Sequence, residues 1–199
     1  MIAVIDYGVG NLFSLCASLS YLNLESIVTN KVEELEKADR IILPGVGAFG
    51  DAYKMLEKTG LIPYLKETKK PVLGICLGMQ LLFDKSFEYG EHKGLGVIKG
   101  NICPIAEDVS KDLKIPHMGW NSLVYKKESP LFKYVNEGSY VYYVHSFYAK
   151  DCSDSVVAVS DYGTEITGAV QNNNYFGTQF HPEKSGKTGL SILKAFSEI

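Results

Sequence analysis

Residues 71–83 read PVLGICLGMQLLF, and this stretch decides the fold because it joins a buried strand to a helix through a tight bend. The first apolar run ends at Cys76, and an apolar run typical of an amphipathic helix begins at Leu77. Gly74 and Gly78 flank the cysteine and leave room for the strained backbone of a nucleophile elbow. Free amides at the start of a helix stabilise negative charge. The stretch therefore predicts that Cys76 is presented as a reactive thiolate.

A second motif supplies the base that such a thiolate needs. Residues 180–185 read FHPEKS and follow another β-type run. If His181 lies at the end of that strand, its ring can face Cys76 across the edge of the sheet. Glu183, beyond the bend at Pro182, can then accept a hydrogen bond from the far ring nitrogen. The two motifs together predict a catalytic triad of Cys76, His181 and Glu183.

The first 84 residues alternate between strand and helix patterns. Short β-type runs are expected at Ile2–Ile5, Ser26–Thr29, Arg40–Leu43 and Val72–Ile75, with helical patterns between and after them. Such alternation is typical of a parallel sheet that is covered by helices on both faces.

The rest of the chain is richer in β-type stretches, which indicate antiparallel additions. We expect them at residues 95–105, 122–126, 140–148 and 156–160. Residues 167–171 and 175–180 flank three asparagines, which tolerate the positive φ of a hairpin turn, and apolar residues from 190 onward indicate a closing helix. We therefore predict an α/β fold in one domain of residues 1–199, with a mixed, mostly parallel central sheet flanked by helices.

Composition and charge argue against several classes of protein. The 199 residues carry a net charge of -3, and their lysines are scattered along the chain, so no nucleic-acid partner is expected. No segment approaches the roughly 18 unbroken apolar residues of a membrane span, and the N-terminus lacks a basic leader pattern. We expect a cytoplasmic protein. The four cysteines form no C-x-x-C pair, and neither a metal site nor a disulfide framework is expected.

Residues 45–50 read GVGAFG and admit three interpretations. The pattern matches a dinucleotide-binding loop, but the acidic ribose-binding residue expected about 20 positions further on is missing, because the next strand ends at Cys76. In the second interpretation, backbone N–H groups of Gly45, Val46 and Gly47 join that of Leu77 in binding an oxyanion. Adjacent parallel strands would place both turns on one edge of the sheet. In the third interpretation, the loop only turns the chain.

Six stretches of the chain carry a resemblance to a known family. They are DYGVGNL at 6–12, PGVGAF at 44–49, GICLGMQ at 74–80, PHMGWN at 116–121, YVHSFY at 143–148 and GTQFHPEKS at 177–185. Over essentially its whole length the chain resembles class I (triad) glutamine amidotransferases. Within that family it is most similar to the glutaminase subunits of imidazole glycerol phosphate synthases of histidine biosynthesis. The stretches at 6–12 and 116–121 distinguish these glutaminase subunits from other members of the family.

The resemblance implies a reaction and a substrate. Cys76 would attack the side-chain amide of glutamine and give a γ-glutamyl thioester and ammonia. His181 would transfer the protons, Glu183 would orient its ring, and water would hydrolyse the thioester to glutamate. No cofactor is implied. The residues implied to hold the amino-acid end of glutamine are Gln80 and the backbone around Gly47, Ser146 and Phe147.

The resemblance also implies a partner. In that family, ammonia passes through the barrel of a (β/α)8 cyclase, where it and a nucleotide precursor give imidazole glycerol phosphate and AICAR. A chain of 199 residues is too short to contain such a barrel, so the cyclase would be a separate subunit of a heterodimer. The candidate interface residues are Asn11, Met118, Trp120 and Asn121. The alternative for Met118 and Trp120 is that both belong to the core.

Three other functions remain open from the sequence. A paralogous subunit could feed ammonia to a different synthase, for instance one that amidates a sugar, and the triad does not distinguish that acceptor. A stand-alone Cys-His-Glu hydrolase would work without a partner. A non-catalytic interaction protein with this fold is disfavoured because Cys76, His181 and Glu183 are all present.

Overall fold

The computed structural model describes all residues, 1–199, and is built from fourteen strands and six α-helices. The strands are β1 Ile2–Ile5, β2 Ser26–Thr29, β3 Arg40–Leu43, β4 Val72–Ile75, β5 Lys85–Ser86, β6 His92–Lys93, β7 Asn101–Pro104, β8 His117–Ser122, β9 Val124–Tyr125, β10 Tyr140–His145, β11 Phe147–Lys150, β12 Val156–Asp161, β13 Glu165–Asn172 and β14 Tyr175–Thr178. The helices are α1 Leu12–Tyr21, α2 Val32–Leu35, α3 Phe49–Lys58, α4 Ile62–Glu67, α5 Leu77–Leu81 and α6 Gly186–Phe196.

The central sheet is mixed and has eight strands in the order β2-β1-β3-β4-β14-β13-β12-β9. The first five of these run parallel to one another, and the pairs from β14 to β9 are antiparallel. Two smaller sheets, β10-β8 and β11-β7-β5-β6, complete the fold. The predicted α/β class, with a mostly parallel central sheet and antiparallel additions, is confirmed.

The core lies on both faces of the central sheet, as the alternation of strand and helix predicts. Every residue of β1 is buried. Ala3 and Ile5 belong to the apolar cluster that includes side chains of α3, α4 and α5, and Ile2 and Val4 belong to the one that includes side chains of α1 and α6. Because both faces are covered, the inner parallel strands β1, β3 and β4 are nearly continuous apolar runs without a polar face.

Several predicted β stretches have different bounds in the structure. Only Asn101–Pro104 of the predicted run 95–105 is a strand, and the run 122–126 is divided between the end of β8 and β9. The segment 140–148 is interrupted at Ser146, where the chain leaves the sheet of β10 and β8 to pair with β7 as β11. The alternation of buried side chains stops here, since Ser146 and Phe147 are both only partly buried. In the sequence, however, residues 140–148 form one unbroken β-type run, so the change of sheet has no signal there. Helix α4 and the hairpin β5–β6 are too short for a recognisable period.

Three adjacent parallel strands bring the predicted motifs to one edge of the sheet. Strand β3 ends at Leu43 before the glycine-rich loop, β4 ends at Ile75 before Cys76, and β14 ends at Thr178 before the FHPEKS motif. The predicted hairpin before β14 is confirmed, since Asn172 pairs with Tyr175 and the turn contains an asparagine with φ of 52°. The carboxyl ends of neighbouring parallel strands form the usual crevice for ligands in such sheets.

No helix combines the length and the apolar character needed to cross a bilayer. The structure contains no group of three or more histidine, cysteine, aspartate or glutamate side chains arranged to hold a metal ion. All four cysteines have free thiols.

Candidate active site

The backbone at Cys76 has the strained conformation of a nucleophile elbow. Its φ is 53° and its ψ is -109°, and helix α5 begins at the next residue. Such angles are costly for a residue with a Cβ and are maintained by the surrounding packing. A Cβ on Gly78 would lie 1.8 Å from the carbonyl oxygen of Leu43, and one on Gly74 would lie 2.6 Å from Cα of Met79. The two glycines let the bend pack directly on its own helix and on strand β3.

His181 and Glu183 form a buried pair at the same edge. Nδ1 of His181 lies 2.8 Å from Oε1 of Glu183, and both side chains are almost fully buried. Burial by itself would lower the pKa of His181, but the nearby Cys76 and the hydrogen-bonded Glu183 outweigh burial and raise that pKa to about 9. The imidazole is therefore held as a cation at neutral pH, and its second nitrogen, Nε2, has no hydrogen-bond partner within the protein.

A cavity of about 330 Å³ opens at this edge and contains the reactive groups. Cys76 and His181 both line it, so the structure brings the predicted nucleophile and base to one site. Glu88 is the only acidic residue of its lining, and Lys184 is its only lysine or arginine. The other lining residues are Val46, Gly47, Leu77, Gln80, Pro116, Val144, His145, Ser146 and Phe147.

Three of the four residues predicted to bind the oxyanion, Val46, Gly47 and Leu77, line this cavity. Leu77 is the first residue of α5, so its N–H has no acceptor within the helix. Val46 and Gly47 line the same cavity, and Gly47 has a φ of 98° and open space around its α-carbon. Gly45 does not line this cavity but packs under it, because a Cβ there would lie 2.7 Å from the amide nitrogen of Gly78.

Tyr7 holds the glycine-rich loop at residues 45–50, although no role is predicted for this residue from the sequence. Its buried hydroxyl donates a hydrogen bond of 2.7 Å to the carbonyl of Pro44. Burial, with a smaller contribution from the charge of Cys76, raises the pKa of Tyr7 well above its usual range, so the hydroxyl remains a donor. The segment that carries Val46 and Gly47 is thus fixed at the point where it leaves β3.

Gln80 and Gln179 connect the nucleophile to the far wall of the cavity. Nε2 of Gln80 donates to the carbonyl of Phe147 at 3.1 Å and to Oε1 of Gln179 at 3.0 Å. Nε2 of Gln179 lies 3.6 Å from Sγ of Cys76. Gln80 and Phe147 are predicted binding residues, whereas no role is predicted for Gln179 from its sequence context.

Glu88 is a second site residue that the sequence analysis misses. It follows strand β5 in the hairpin β5–β6, and its carboxylate accepts a hydrogen bond of 2.6 Å from the backbone N–H of Phe49, the first residue of α3. The positive end of that helix stabilises the carboxylate. The only sequence signal nearby is Gly90, a residue typical of turns, and its φ is 124° in the structure. A turn signal does not indicate that Glu88 lines a cavity.

The four candidate interface residues lie outside this cavity. Met118 and Trp120 are 64% and 56% exposed, so the alternative that they belong to the core is wrong. Strand alternation turns them to one side of β8 and leaves Asn121 on the other, where it is partly buried. Asn11 caps α1, accepting a hydrogen bond from the backbone of Ser14.

Comparisons with known proteins agree with this geometry. The family model described as "Glutamine amidotransferase class-I" matches residues 3–198. A protein from Caldanaerobacter subterraneus subsp. tengcongensis, named imidazole glycerol phosphate synthase subunit HisH, is 49% identical over 100% of this chain and 98% of its own length. A protein of the same name from Bacillus cereus strain G9842 is 51% identical over 100% of this chain and 95% of its own.

Solved structures share the fold at low sequence identity. The structure of PurLQS from Thermotoga maritima has a chain that superposes with a TM-score of 0.76 at 19% identity, over 99% of this chain and 97% of that one. A crystal structure described as a glutamine amidotransferase gives a TM-score of 0.75 at 18% identity, over 99% of this chain and 100% of that one.

Proposed function

The chain belongs to the class I glutamine amidotransferase family, and from this premise we propose that it is the glutaminase subunit of an imidazole glycerol phosphate synthase. One amidotransferase domain spanning residues 1–199 hydrolyses glutamine to glutamate and ammonia. The ammonia is used by a separate cyclase subunit to make imidazole glycerol phosphate and AICAR in histidine biosynthesis. The observation that carries the proposal is the joint presence of Cys76 and His181 at one cavity, with the His181 imidazole held as a cation by Cys76 and Glu183.

The first half of the reaction forms a thioester. The thiolate of Cys76 attacks the amide carbon of the glutamine side chain, and the carbonyl electrons move onto oxygen. That oxygen is stabilised by the N–H of Leu77 and by the backbone at Val46 and Gly47. When the intermediate collapses, the C–N bond breaks and Nε2–H of His181 gives its proton to the departing nitrogen, which leaves as ammonia.

The second half regenerates the thiolate. Nε2 of His181, now neutral, takes a proton from water while the water oxygen attacks the thioester carbon. The same oxyanion donors stabilise the second intermediate, and its collapse breaks the C–S bond and releases glutamate. Glu183 keeps Nδ1 of His181 protonated and its ring oriented through both halves, so the imidazole alternates between one and two protons.

The charges around the cavity fit the amino-acid end of glutamine. Glu88, the only acidic residue of its lining, is a partner for the α-ammonium group. Gln80 and the backbone of Ser146 and Phe147 lie on the wall where the α-carboxylate can be held. A substrate that spans from Glu88 to Cys76 places its side-chain amide at the sulfur.

The chemistry of ammonia supports a separate partner. Free ammonia is protonated in neutral water, so its efficient use needs a tight interface with the synthase. Met118 and Trp120 present large apolar side chains to solvent on one side of β8, which suits burial against a protein. The relatives are themselves named as subunits of a synthase. The proposed cyclase interface is centred on these two residues. Asn11, at the start of α1, and Asn121, on the other side of β8, are the two further candidates.

The test is a measurement of glutamate release by the purified chain, alone and with a (β/α)8 cyclase subunit and its nucleotide ligand. We expect strong activity only in the complex. Cys76→Ala should abolish glutamine-dependent synthesis and leave ammonia-dependent synthesis by the complex intact. High activity of the chain alone would indicate an independent hydrolase, and activity with a different synthase would indicate another acceptor. Loss of ammonia-dependent synthesis in Cys76→Ala would mean that the residue has a structural role.

A further inference from the structure

A buried pair of histidines lies at the wall of the glutamine cavity, which one of them, His145, lines. His117 begins strand β8 and His145 ends β10, and the antiparallel register places them opposite each other. Nδ1 of His117 lies 3.0 Å from Nε2 of His145, and both residues are buried. The ring of His117 stacks between Tyr143 and Tyr162, at centroid distances of 4.7 Å and 4.1 Å. Neither histidine takes part in the proton transfers described above.

The hydrogen bonds of the pair run in one direction only. Nδ1 of His145 lies 2.8 Å from the carbonyl of Phe147, which can only accept, so this nitrogen carries the proton. In a neutral ring, Nε2 of His145 must then accept, and the donor is Nδ1–H of His117. Nε2 of His117 in turn accepts from the side-chain amide of Asn121 at 3.4 Å. We call this series, from Asn121 through His117 and His145 to the Phe147 carbonyl, the histidine chain.

The neutral state that this direction requires agrees with the surroundings. Burial lowers the pKa of His117 to about 4 and that of His145 to about 3. Asn121, at the other end of the histidine chain, is also fixed, because its amide donates a second hydrogen bond of 2.7 Å to the carbonyl of Asp161. At neutral pH each donor of the histidine chain therefore has one defined acceptor.

The histidine chain ends at the wall of the glutamine cavity. The carbonyl of Phe147 accepts from His145 on one side and from Gln80 on the other. Gln80 also holds Gln179, whose amide contacts Cys76. Ser146 and Phe147 lie at the break between β10 and β11, which belong to different sheets. From the β7 side, the backbone N–H of Ile105 holds the Ser146 carbonyl at 2.9 Å. The bond from His145 bridges that break.

We propose that His117 and His145 are positioning residues that hold the Phe147 carbonyl, and with it Gln80 and the Ser146–Phe147 backbone, in the geometry that binds glutamine. The role rests on the proposed glutaminase function, since it concerns the binding of that substrate. It acts on substrate affinity, because the thiolate, the base and the oxyanion donors do not belong to the histidine chain.

The experiment measures protection of Cys76 by glutamine. Alkylation of Cys76 by iodoacetamide is followed by mass spectrometry of its peptide at increasing glutamine concentrations, which gives the concentration for half protection without requiring turnover. His117→Phe keeps an aromatic ring between the two tyrosines and removes every hydrogen bond. His117→Asn keeps a donor near the place of Nδ1. Tyr162→Phe is the control, since it keeps the stacked ring and removes only a hydroxyl bonded to the carbonyl of Lys114.

We expect the half-protecting concentration to rise about tenfold in His117→Phe, the effect of one lost hydrogen bond, and to recover at least in part in His117→Asn. Alkylation without glutamine should change by less than about twofold in both variants, and Tyr162→Phe should match the wild type. An unchanged half-protecting concentration in folded His117→Phe would overturn the positioning role. Equal losses in the alkylation rate of Cys76 and in its protection by glutamine would also overturn the positioning role, because they would indicate a general disruption of the site. If glutamine does not protect the wild type, the proposed function itself fails.

A second measurement does not depend on the variants. Nitrogen-15 NMR of the wild-type imidazoles distinguishes the two neutral tautomers at neutral pH. The histidine chain requires His117 and His145 both to carry the proton on Nδ1. A proton on Nε2 of His145 would break the bond to Phe147 and overturn the proposal.

Discussion

The side-chain amide of Gln179 lies 3.6 Å from the sulfur of Cys76, although 103 positions separate the two residues. The parallel register explains this contact, because Thr178 is paired with Ile75 and each of the two residues comes directly after its strand. Gln179 also holds Gln80 at 3.0 Å. The amide thus connects the nucleophile with the residue that is proposed to hold substrate.

We predict that Gln179→Glu slows the reaction of Cys76. A carboxylate at this position repels the thiolate, whereas the native amide donates to it. Alkylation of Cys76 by iodoacetamide at neutral pH should fall by about tenfold or more, and kcat for glutamine should fall with it. Gln179→Leu, which removes the donor without adding charge, should have a smaller effect on alkylation. Equal rates in Gln179→Glu and the wild type would show that the amide does not act on the sulfur.

The charge of Glu183 should control the protonation of His181. The contacts with Cys76 and Glu183 raise the pKa of His181 to about 9 against the effect of burial. A raised folded-state pKa contributes stability that is complete below the unfolded value of about 6.5 and is lost as pH rises through 9. In Glu183→Gln, where an amide can still accept from Nδ1–H, the pKa should fall below that of the wild type.

Two measurements check this prediction. An NMR titration of the His181 ring should show a lower midpoint in Glu183→Gln, and the melting temperature between pH 7 and pH 9.5 should decline less than in the wild type. Glu183→Ala should lower turnover less than His181→Ala, because Glu183 orients the ring while His181 moves the proton. Glu198→Gln, which alters an exposed ion pair with Lys133, is the control and should leave the titration unchanged. A loss in Glu183→Ala as large as that in His181→Ala would contradict the orienting role.

The glycine after the elbow should be intolerant of any side chain. A Cβ on Gly78 would lie 1.8 Å from the backbone oxygen of Leu43, so Gly78→Ala forces α5 away from β3. We expect a loss of at least about 3 kcal/mol in the free energy of unfolding, measured by urea denaturation. Gly138→Ala is the control, because its φ of 81° is strained for alanine but no atom lies within 4 Å, and it should cost only about 1–2 kcal/mol. Similar losses in the two variants would argue against close packing at the elbow.

The buried histidine pair should make the fold sensitive to acid. Burial lowers the pKa of His117 to about 4 and that of His145 to about 3, so both bind protons more weakly when folded. Their contribution to stability is therefore complete above the unfolded value of about 6.5 and is lost as pH falls towards 4 and 3. His117→Asn removes one of these groups. The decrease in unfolding free energy between pH 7 and pH 4 should therefore be smaller in this variant than in the wild type, by roughly 2 kcal/mol. Parallel curves for variant and wild type would show that His117 does not titrate in this window.

The parts of the site that the sequence predicts are those encoded locally. The elbow needs two glycines around Cys76, and His181 and Glu183 are two positions apart, so each motif is readable in a few residues. The alternation of strand and helix then places both motifs on one edge. Parallel strands that are buried on both faces have no polar alternation to disturb this pattern.

The remaining site residues depend on relations that no short window contains. Gln179 contacts the sulfur because of the register between β14 and β4, and the histidines meet because β8 pairs with β10 in a separate sheet. Glu88 reaches the cavity through a hairpin whose strands have two residues each. Register and sheet membership are decided by tertiary packing, so these residues are found only in the structure.

The exposed ring of Trp120 should matter for the partner more than for folding. Trp120 is 56% exposed and its main neighbour is Tyr142, in an edge-to-face contact at 5.9 Å. Trp120→Ala should therefore cost only about 1 kcal/mol in stability, because little buried area is lost. A large aromatic residue at the centre of an interface commonly dominates binding, so the affinity for the cyclase and the partner-dependent rise in glutaminase activity should fall about tenfold or more. Val28→Ala, at an exposed apolar position on strand β2 at the edge of the sheet, is the control and should leave both unchanged. A large drop in the melting temperature of Trp120→Ala, with the partner-dependent rise in glutaminase activity retained, would show that Trp120 stabilises the fold and does not bind the partner.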